Sequence, residues 1–403
     1  MNSPDSSIES PFSLKLFLPL LASIVAITPF AVDTYLPAMT VIAKDLNTDM
    51  SMMQLTLSLF LAGYAAGLMF FGPLADIFGR RPIVLLGLTG FALSTGALAF
   101  CESVTSFLLL RFIQAFIGAA ATVPISGYIR AIYGKNMAKG MSYVSMIMMV
   151  APMVAPTVGI LLMELHGWEL IFITLGSYAA LILALATFSL PKVATKPRTD
   201  TLFNTFFKSY AIVLSEKKVR RYIFIVGLAT MSFFGYLTAI PFIYMEVFGV
   251  SEKMFGLLFA INVAAFLLAS FINTRIVSRY GSLNMLKGAL SLSVITAILL
   301  LIVNLLGWHL YWTVAFLAIF LAGIVVLSAN NDALILIEFA EQTGTATGVI
   351  GTLRFGCGAL SGPILALMYD GTAVPFCYLL LFAVVTSSAC LVFMKNHSGG
   401  ETA

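Results

Sequence analysis

Long apolar stretches separated by short polar turns dominate the chain. Each stretch is about 20 residues long, the length that an α-helix needs to cross the hydrocarbon core of a bilayer. Every such span must be helical, because lipid cannot satisfy backbone N–H and C=O groups. The pattern therefore predicts an all-α membrane protein with twelve transmembrane helices. We number these spans 1 to 12 and place them near 14–37, 51–72, 82–101, 107–129, 141–163, 169–190, 222–245, 254–274, 284–306, 310–332, 344–368 and 374–394.

The composition supports this interpretation. The 403 residues are 60% hydrophobic and 10% charged, with a mean hydropathy of +1.01, whereas a soluble domain carries about 25% charged residues. The segment before span 1 is polar and lacks the basic region of a cleaved signal, so we expect span 1 to be retained. The cysteines show no CxxC spacing, and we expect them to pack as apolar side chains. They are Cys101, Cys357, Cys377 and Cys390.

Lysine and arginine predict the orientation. Of the 22 basic residues, 18 fall on one side of the predicted spans, and only Lys44 and Lys253 fall on the other. Cytoplasmic loops are enriched in these residues, so both termini are predicted to be cytoplasmic. The net charge of +4 gives no indication of nucleic-acid binding, because the basic residues lie in loops between spans.

The longest loop, 191–221, follows six spans and precedes six more. We interpret it as a cytoplasmic linker between an N-terminal half, 1–190, and a C-terminal half, 222–403. GPLADIFGRR (72–81) follows span 2, and NTRIVSRYG (273–281) follows span 8 at the equivalent position. Parallel repeats with a substrate site between them are typical of transporters of the major facilitator superfamily.

The turn after span 2 resembles the signature of that superfamily, Gly-x-x-x-Asp-(Arg/Lys)-x-Gly-Arg-Arg. Ile77 stands where a basic residue is usual. The resemblance implies that this segment latches the two halves on the cytoplasmic side, with glycines that permit a tight turn and close helix contact. The latch residues are Gly72, Asp76, Gly79, Arg80 and Arg81.

Span 4 contains RFIQAFIGAA (111–120), which resembles the motif of proton-coupled members, with Ala115 in place of a glycine. The resemblance ties Arg111 to proton transfer. A fixed positive charge and burial act in opposite directions on a nearby carboxylate, so helix movement could load or unload a proton. Alternatively, Arg111 snorkels or binds backbone carbonyls.

Span 5 resembles the antiporter motif, a row of small residues that ends in Gly-Pro-x-x-Gly and accompanies export. Pro152, Pro156 and Gly159 match it, whereas Ser142, Ala151 and Ala155 stand where glycines are usual. Small residues let helices approach, and prolines bend the span. Plain helix packing is the alternative explanation.

The whole chain is similar to the Bcr/CflA branch of drug:proton antiporters. AVDTYLPA (31–38), QLTLS (54–58), Gly167-Trp168 and AIPFIY (239–244) carry this resemblance. Asp33 falls on the acid of span 1, which the resemblance links to proton or substrate coupling. Because it lies four residues before Pro37, Asp33 could instead be solvated at the outer end of the helix.

Asp33, Arg111 and Arg354 are the three charges that fall well inside predicted spans, and such charges usually mark a transport pathway. Arg354 matches no family motif and needs a partner, which could be a substrate anion, carbonyls or, as a structural pair, Asp332. Two arginines and one ionised carboxylate sum to +1, which favours a neutral or anionic substrate. The candidate substrate-binding residues, for which core packing is the alternative, are Tyr35, Gln114, Tyr143, Met146, Tyr236, Tyr244, Asn331 and Arg354.

These features predict a transporter and not an enzyme. A GxxxxGK[ST] loop is absent, and the three histidines are too scattered to suggest a metal site. We expect a monomer in the bacterial inner membrane that exports small organic compounds in exchange for protons, with the proton gradient as energy source and no cofactor. A dedicated carrier of an anionic metabolite or carboxylate siderophore is the alternative. A sensor on the same scaffold and a channel are further alternatives, against which the absence of an extra domain and the paired motifs argue.

Overall fold

The computed structural model describes residues 14–133, 137–191, 211, 215–338 and 343–393. Within these ranges, the side chains of residues 14–16, 76, 130–133, 137–149, 217–218, 343–347 and 393 are outside the described set. Most of the predicted linker 191–221 lies outside the described residues, and so do the side chains of Asp76, Tyr143 and Met146.

The described residues form helices that follow the twelve predicted spans. Eleven are long and apolar enough to cross a membrane, and span 5 contributes the shorter apolar stretch Val150–His166. The prediction of an all-α, multi-pass membrane protein is thereby confirmed. In the N-terminal half, span 1 comprises Leu14–Asp33, the 3-10 turn Leu36–Ala38 and Met39–Asp45, and span 4 comprises Val104–Thr122 and Ile125–Tyr133; spans 2, 3, 5 and 6 are Met50–Phe78, Arg80–Leu98, Met137–His166 and Glu169–Ser189. In the C-terminal half, span 7 is Lys217–Pro241 with the π turn Phe242–Val247, and span 11 comprises Thr343–Ala359 and Ser361–Leu367. Spans 8, 9, 10 and 12 are Glu252–Tyr280, Ser282–Leu305, Leu310–Glu338 and Val374–Phe393.

Equivalent residues begin and end the second span of each half. Asp49 caps span 2, and hydrogen bonds from the Ser51 hydroxyl and the Met52 N–H lower the pKa of its carboxyl. Ser251 caps span 8 in the same position by accepting from the Met254 N–H. At the other ends, Gly79 (φ +93°, ψ 154°) and Gly281 (φ +75°, ψ 150°) connect each helix to the next. This backbone conformation is essentially restricted to glycine, which explains the glycine in both repeats.

Helix packing repeats between the halves. Span 1 packs on spans 5 and 6, as span 7 packs on spans 11 and 12. Span 4 packs on spans 2 and 3, as span 10 packs on spans 8 and 9, and the pair of spans 3 and 6 corresponds to the pair of spans 9 and 12. Every major pairing in one half therefore has an equivalent in the other, and the fold consists of two pseudo-symmetric six-helix halves.

The two halves meet through spans 2 and 11 on one side and spans 5 and 8 on the other. The Gly362 N–H donates to the Ser58 hydroxyl at 3.0 Å, and Lys253 pairs with Glu164 at 3.0 Å. Nearer the middle of the spans, the rings of Tyr64 and Phe355 meet edge to face, with 4.6 Å between their centroids. We call this set of contacts the inter-half seam.

Replacing Gly281 by alanine tests the glycine turn between spans 8 and 9. Because no atom would meet the added Cβ, the effect isolates backbone strain, which should lower the free energy of unfolding by about 1–3 kcal/mol. Gly288→Ala is the control: it is also surrounded by open space, but lies in regular helix, where alanine is favoured. Melting temperatures in detergent compare the two, and equal values would contradict the requirement for glycine.

Candidate functional site

Asp33 lies inside span 1, and not at its outer end. Pro37 interrupts the regular helix because it has no N–H to donate. The 3-10 turn at Leu36–Ala38 then carries the chain into Met39–Asp45, so the span continues well beyond Asp33. Asp33 is only 3% exposed, and its Oδ1 atom has no hydrogen-bond partner. The alternative in which Asp33 is solvated at the helix end is therefore wrong.

Arg111 is completely buried in the N-terminal half. Its Nη1 donates to the Ala31 carbonyl at 3.1 Å and to Gln114 Oε1 at 2.8 Å. The guanidinium also lies between the rings of Tyr35 and Phe60, at 4.3 and 4.5 Å from their centroids. A desolvated cation over an aromatic face gains roughly 2 kcal/mol, which helps to offset the cost of removing Arg111 from water.

Two of the groups that contact this cation, Gln114 and Tyr35, make further hydrogen bonds. The Gln114 amide donates to the Thr95 hydroxyl at 2.7 Å, and Thr95 donates to the Phe91 carbonyl. Thr56 uses its single proton to donate to the Met53 carbonyl, so the Tyr35 hydroxyl must be the donor in its 2.9 Å contact with Thr56. Arg111 thereby ties spans 1 to 4 together. Tyr35 and Gln114, predicted to bind substrate, are both buried in this network.

Arg111 reaches Asp33 through the backbone and not through an ion pair. In the part of the chain that the structure describes, the ion pairs are Lys253–Glu164 and Arg354–Asp332. The contacts of Arg111 with Ala31 and Tyr35 flank Asp33 on both sides along span 1. The arginine therefore fixes the segment that carries the acid, and its role in proton coupling stays a prediction.

The antiporter-like motif packs span 5 against this segment. A Cβ on Gly159 would overlap the Thr34 carbonyl and would lie 3.4 Å from the Pro37 ring. Pro156 is buried, whereas Pro152 is half-buried. Glycine at 159 therefore allows backbone contact with span 1 directly beside Asp33.

The turn between spans 2 and 3 makes its described contacts within the N-terminal half. Arg80 donates to the Gly127 carbonyl at 2.9 Å, and Arg81 donates to the Thr187 carbonyl at 2.5 Å. Gly79 supplies the turn, but no atom lies within 4 Å of a Cβ built on Gly72. The expectation that Gly72 permits close helix contact is wrong, because that face of span 2 meets open space. A latch between the halves stays a prediction.

Two tyrosines of span 7 share one partner on span 8. Asn262 Nδ2 donates to the Tyr244 hydroxyl at 2.9 Å and to the Tyr236 hydroxyl at 3.4 Å. All three residues are buried, and Asn262 Oδ1 has no partner. Sequence reasoning selected both tyrosines, but it did not find that Asn262 joins them. The π turn Phe242–Val247 after Pro241 carries Tyr244, and such turns are frequent at functional sites.

Arg354 pairs with Asp332, with 2.5 Å between Nη2 and Oδ2. The two side chains are 33% and 27% exposed. Span 10 was predicted to end at 332, which hid this acid at a boundary, but the helix continues to Glu338. Among the described residues, Asp332 therefore joins Asp33, Arg111 and Arg354 as a charge away from the ends of the spans, and the predicted sum of +1 is wrong because it left Asp332 out. The neighbouring Asn331 donates to the Tyr222 carbonyl at 2.7 Å.

Side chains that commonly bind metals stay apart. The four cysteines are free thiols. In the described ranges, no group of three or more His, Cys, Asp and Glu side chains comes together. The arrangement instead offers a buried acid, an arginine held between two rings, and two tyrosine hydroxyls joined by an asparagine.

Arg111→Lys tests the cage around the cation. An ammonium group cannot contact two ring faces, Gln114 and the Ala31 carbonyl in the same way, so we expect a loss of about 2 kcal/mol in the free energy of unfolding. Arg275→Lys is the matched control, because Arg275 stacks on Phe271 at the exposed surface. If both variants melt at the same temperature in detergent, the cage contributes nothing specific.

A double-mutant cycle tests the Arg354–Asp332 pair. Arg354→Gln and Asp332→Asn should each lower the free energy of unfolding by about 1 kcal/mol. A fully buried pair would lose about 3–5 kcal/mol, but partial exposure reduces this value. Melting curves should show that the double variant loses clearly less than the sum of the single losses. Strictly additive losses would exclude an energetic pair.

The comparisons with known proteins agree with this architecture. A family model described as the Major Facilitator Superfamily matches residues 21–363. A bicyclomycin resistance protein homolog of Haemophilus influenzae is 33% identical over 389 residues, which cover 96% of this chain and 98% of that protein. A chloramphenicol resistance protein of Pseudomonas aeruginosa is 30% identical over 401 residues, which cover 94% of this chain and 93% of that protein.

A solved structure shows the same fold. The nucleoside transporter NupG superimposes with a TM-score of 0.71 at 16% identity, over 95% of this chain and 99% of that chain. The paired six-helix halves seen here thus coincide with a known transporter architecture. Together with the match over 21–363, this shows that the chain belongs to the major facilitator superfamily, whose members are non-enzymatic carriers.

Proposed function

We propose that this carrier is an antiporter that exports drugs or related small organic compounds in exchange for protons. In this proposal it acts as a monomer in the bacterial inner membrane, with both termini cytoplasmic and with the proton gradient, not a cofactor, as its energy source. The halves 1–190 and 222–403 rock about the linker 191–221, which gives alternating access to a site between them.

Asp33 is the observation that carries proton coupling. It is a titratable group within a span, it is almost fully buried, and its Oδ1 atom has no hydrogen-bond partner. Ionisable groups inside membrane spans commonly mark proton pathways, and a change in the surroundings of a carboxylate changes how readily it binds a proton. Gly159 and Arg111 fix the backbone on either side of it, so movement of the other half is what changes its environment.

The names of the relatives support drugs as substrates. Two proteins that match nearly the whole chain are named for resistance to bicyclomycin and to chloramphenicol. The Arg354–Asp332 pair adds a constraint on charge. A charged substrate that took one partner would leave the other unpaired at a cost, whereas an uncharged polar substrate leaves the pair intact. The geometry therefore favours uncharged substrates, and a carrier dedicated to anions loses the charge argument that supported it.

The inter-half seam supports alternating access. Gly362 contacts Ser58, and Lys253 pairs with Glu164, at the ends of the spans that the positive-inside pattern assigns to the outer face. Opening toward that face requires these contacts to break while the packing within each half persists. Glu164 and Lys253 are exposed, so their pair adds only a few tenths of a kcal/mol to 1 kcal/mol.

Asp33→Asn in proteoliposomes tests the proposal. Vesicles that contain purified protein are given a proton gradient, and accumulation of radiolabelled chloramphenicol is followed over time. We expect gradient-driven accumulation to fall at least tenfold in the variant, because asparagine cannot exchange a proton. A protonophore should abolish accumulation by the unmodified protein.

The control for this experiment is Glu102→Gln, which removes a carboxylate from an exposed turn between spans 3 and 4. Its accumulation should stay within twofold of the unmodified protein. Transport by the unmodified protein that ignores the gradient would overturn proton coupling, and so would full accumulation by Asp33→Asn. Binding of chloramphenicol by Asp33→Asn, measured by equilibrium dialysis, distinguishes lost coupling from lost substrate recognition.

A further inference from the structure

Asn262 donates hydrogen bonds to the hydroxyls of Tyr236 and Tyr244, so both hydroxyl protons remain available for donation to another group. Its amide nitrogen donates to both Tyr236 and Tyr244, so each hydroxyl oxygen is used as an acceptor. A phenol that accepts in this way can still donate its own proton. Tyr236 also stacks on Phe259, with 5.9 Å between ring centroids. The two hydroxyls are therefore fixed, buried donors whose targets lie elsewhere.

An acceptor without a donor lies across the boundary between the halves. Asp33 Oδ1 is buried and has no hydrogen-bond partner. Spans 7 and 8 both pack against Leu36–Ala38, the turn that follows Asp33 in span 1. Tyr236 is close enough to Asp33 for an electrostatic interaction between the two side chains, whereas no such interaction links Asp33 to Tyr244 among the described contacts.

We infer that the Tyr236 hydroxyl, positioned by Asn262, is the hydrogen-bond donor that the C-terminal half offers to the ionised carboxylate of Asp33. The inference rests on the proposed function, in which Asp33 exchanges protons. Tyr236 keeps its own proton throughout, and the proton that Asp33 takes up comes from water. Asn262 is a positioning residue, and Tyr236 forms the hydrogen bond whose strength depends on whether Asp33 is ionised.

This bond would couple charge to the position of the halves. Hydrogen bonds to an ionised acceptor are roughly twice as strong as those between neutral groups, so the donor favours ionised Asp33 whenever the halves are close. By reciprocity, separation of the halves favours protonated Asp33. Proton binding and half-to-half contact then oppose each other, which is the relation that an exchanger needs.

Other titratable groups around Asp33 are already engaged or distant. Arg111 on span 4 contacts Ala31, Gln114 and two rings, while its Nε and Nη2 atoms have no hydrogen-bond partner. These donors belong to the same half as Asp33, so a bond from them would not depend on contact between the halves. Tyr178 on span 6 donates to the Ser23 carbonyl. Glu164 on span 5 pairs with Lys253 on span 8. The Tyr35 hydroxyl contacts Thr56, and those of Tyr64 and Tyr128 contact Thr122 and the Pro191 carbonyl. The remaining charged and titratable groups in the described parts of these elements lie toward the ends of the spans: Lys44, Asp45, His166, Glu169, Arg220, Arg221, Tyr222, Glu246, Glu252, Arg275, Arg279 and Tyr280.

The chain supplies its own matched pair for the test, Tyr236→Phe and Tyr244→Phe. Each variant removes one hydroxyl that accepts from Asn262, so their effects on folding should be similar. Chloramphenicol exchange is measured in proteoliposomes from about pH 5 to pH 9. We expect Tyr236→Phe to move the midpoint of the pH–rate profile upward by roughly one unit, because ionised Asp33 loses its donor. Tyr244→Phe should leave the midpoint in place.

Two further variants complete the design. Asn262→Leu should move the midpoint in the same direction as Tyr236→Phe, because the phenol loses the group that positions it. In an Asp33→Asn background, Tyr236→Phe should cause no further shift. Melting temperatures in detergent verify that the two phenylalanine variants fold equally well.

Equal midpoints for Tyr236→Phe and Tyr244→Phe would overturn the inference. This comparison needs no Asp33 variant, so it decides the question even if Asp33→Asn folds poorly. Unaltered pH dependence in Asp33→Asn would overturn the proposed proton coupling itself. Loss of pH dependence in Asp33→Asn with equal midpoints for the two phenylalanine variants would overturn only the assignment of Tyr236.

Discussion

The buried guanidinium of Arg111 constrains how the helices of the N-terminal half pack. Arg111 is inaccessible to solvent, and an isolated ion in such surroundings is strongly disfavoured. The protein offsets this cost with a carbonyl, an amide oxygen and two ring faces, drawn from spans 1, 2 and 4. Its Nε and Nη2 atoms have no hydrogen-bond partner, so loss of any of these contacts would raise the cost further, and we expect the spans that supply them to move as one unit. A rigid half is the precondition for any mechanism in which halves rock.

The halves share a framework but differ in their polar interiors. Both repeat the same helix pairings and the same glycine turn after their second span. The N-terminal half contains Asp33, a buried acid with one oxygen that has no hydrogen-bond partner, and Arg111, which lies between two aromatic rings. The C-terminal half contains an arginine–aspartate pair and an asparagine between two phenols. The two halves therefore share a scaffold but differ in buried chemistry, and in the proposed mechanism one half would bind the proton while the other responds to it.

The arrangement of spans can be predicted from the sequence, because the length of an apolar stretch and the backbone conformation that a glycine permits are local properties. The spans, the turns at Gly79 and Gly281, and the placement of Asp33 and Arg111 within spans follow from them, whereas the structure was needed to show that Asp33 is buried. Asp332 was named as a possible partner of Arg354 but was left out of the charge sum, because the predicted span ends at it while the helix itself continues to Glu338. The cage around Arg111 and the role of Asn262 were missed for a different reason. Those contacts depend on how separate spans are rotated toward one another, which no single stretch of sequence encodes.

The break in span 11 has a consequence for water. A new helix begins at Ser361, so the Gly362 N–H lies in a first turn, where helices provide no internal acceptor. Ser58 of the other half fills that vacancy while the seam is shut. If the two halves separate here, the Gly362 N–H loses its acceptor, which costs about 1–3 kcal/mol unless a water molecule takes the place of Ser58. In the proposed cycle, outward opening would therefore require water to enter the seam, and hydration of this one peptide group would contribute to the barrier between the two states of the carrier.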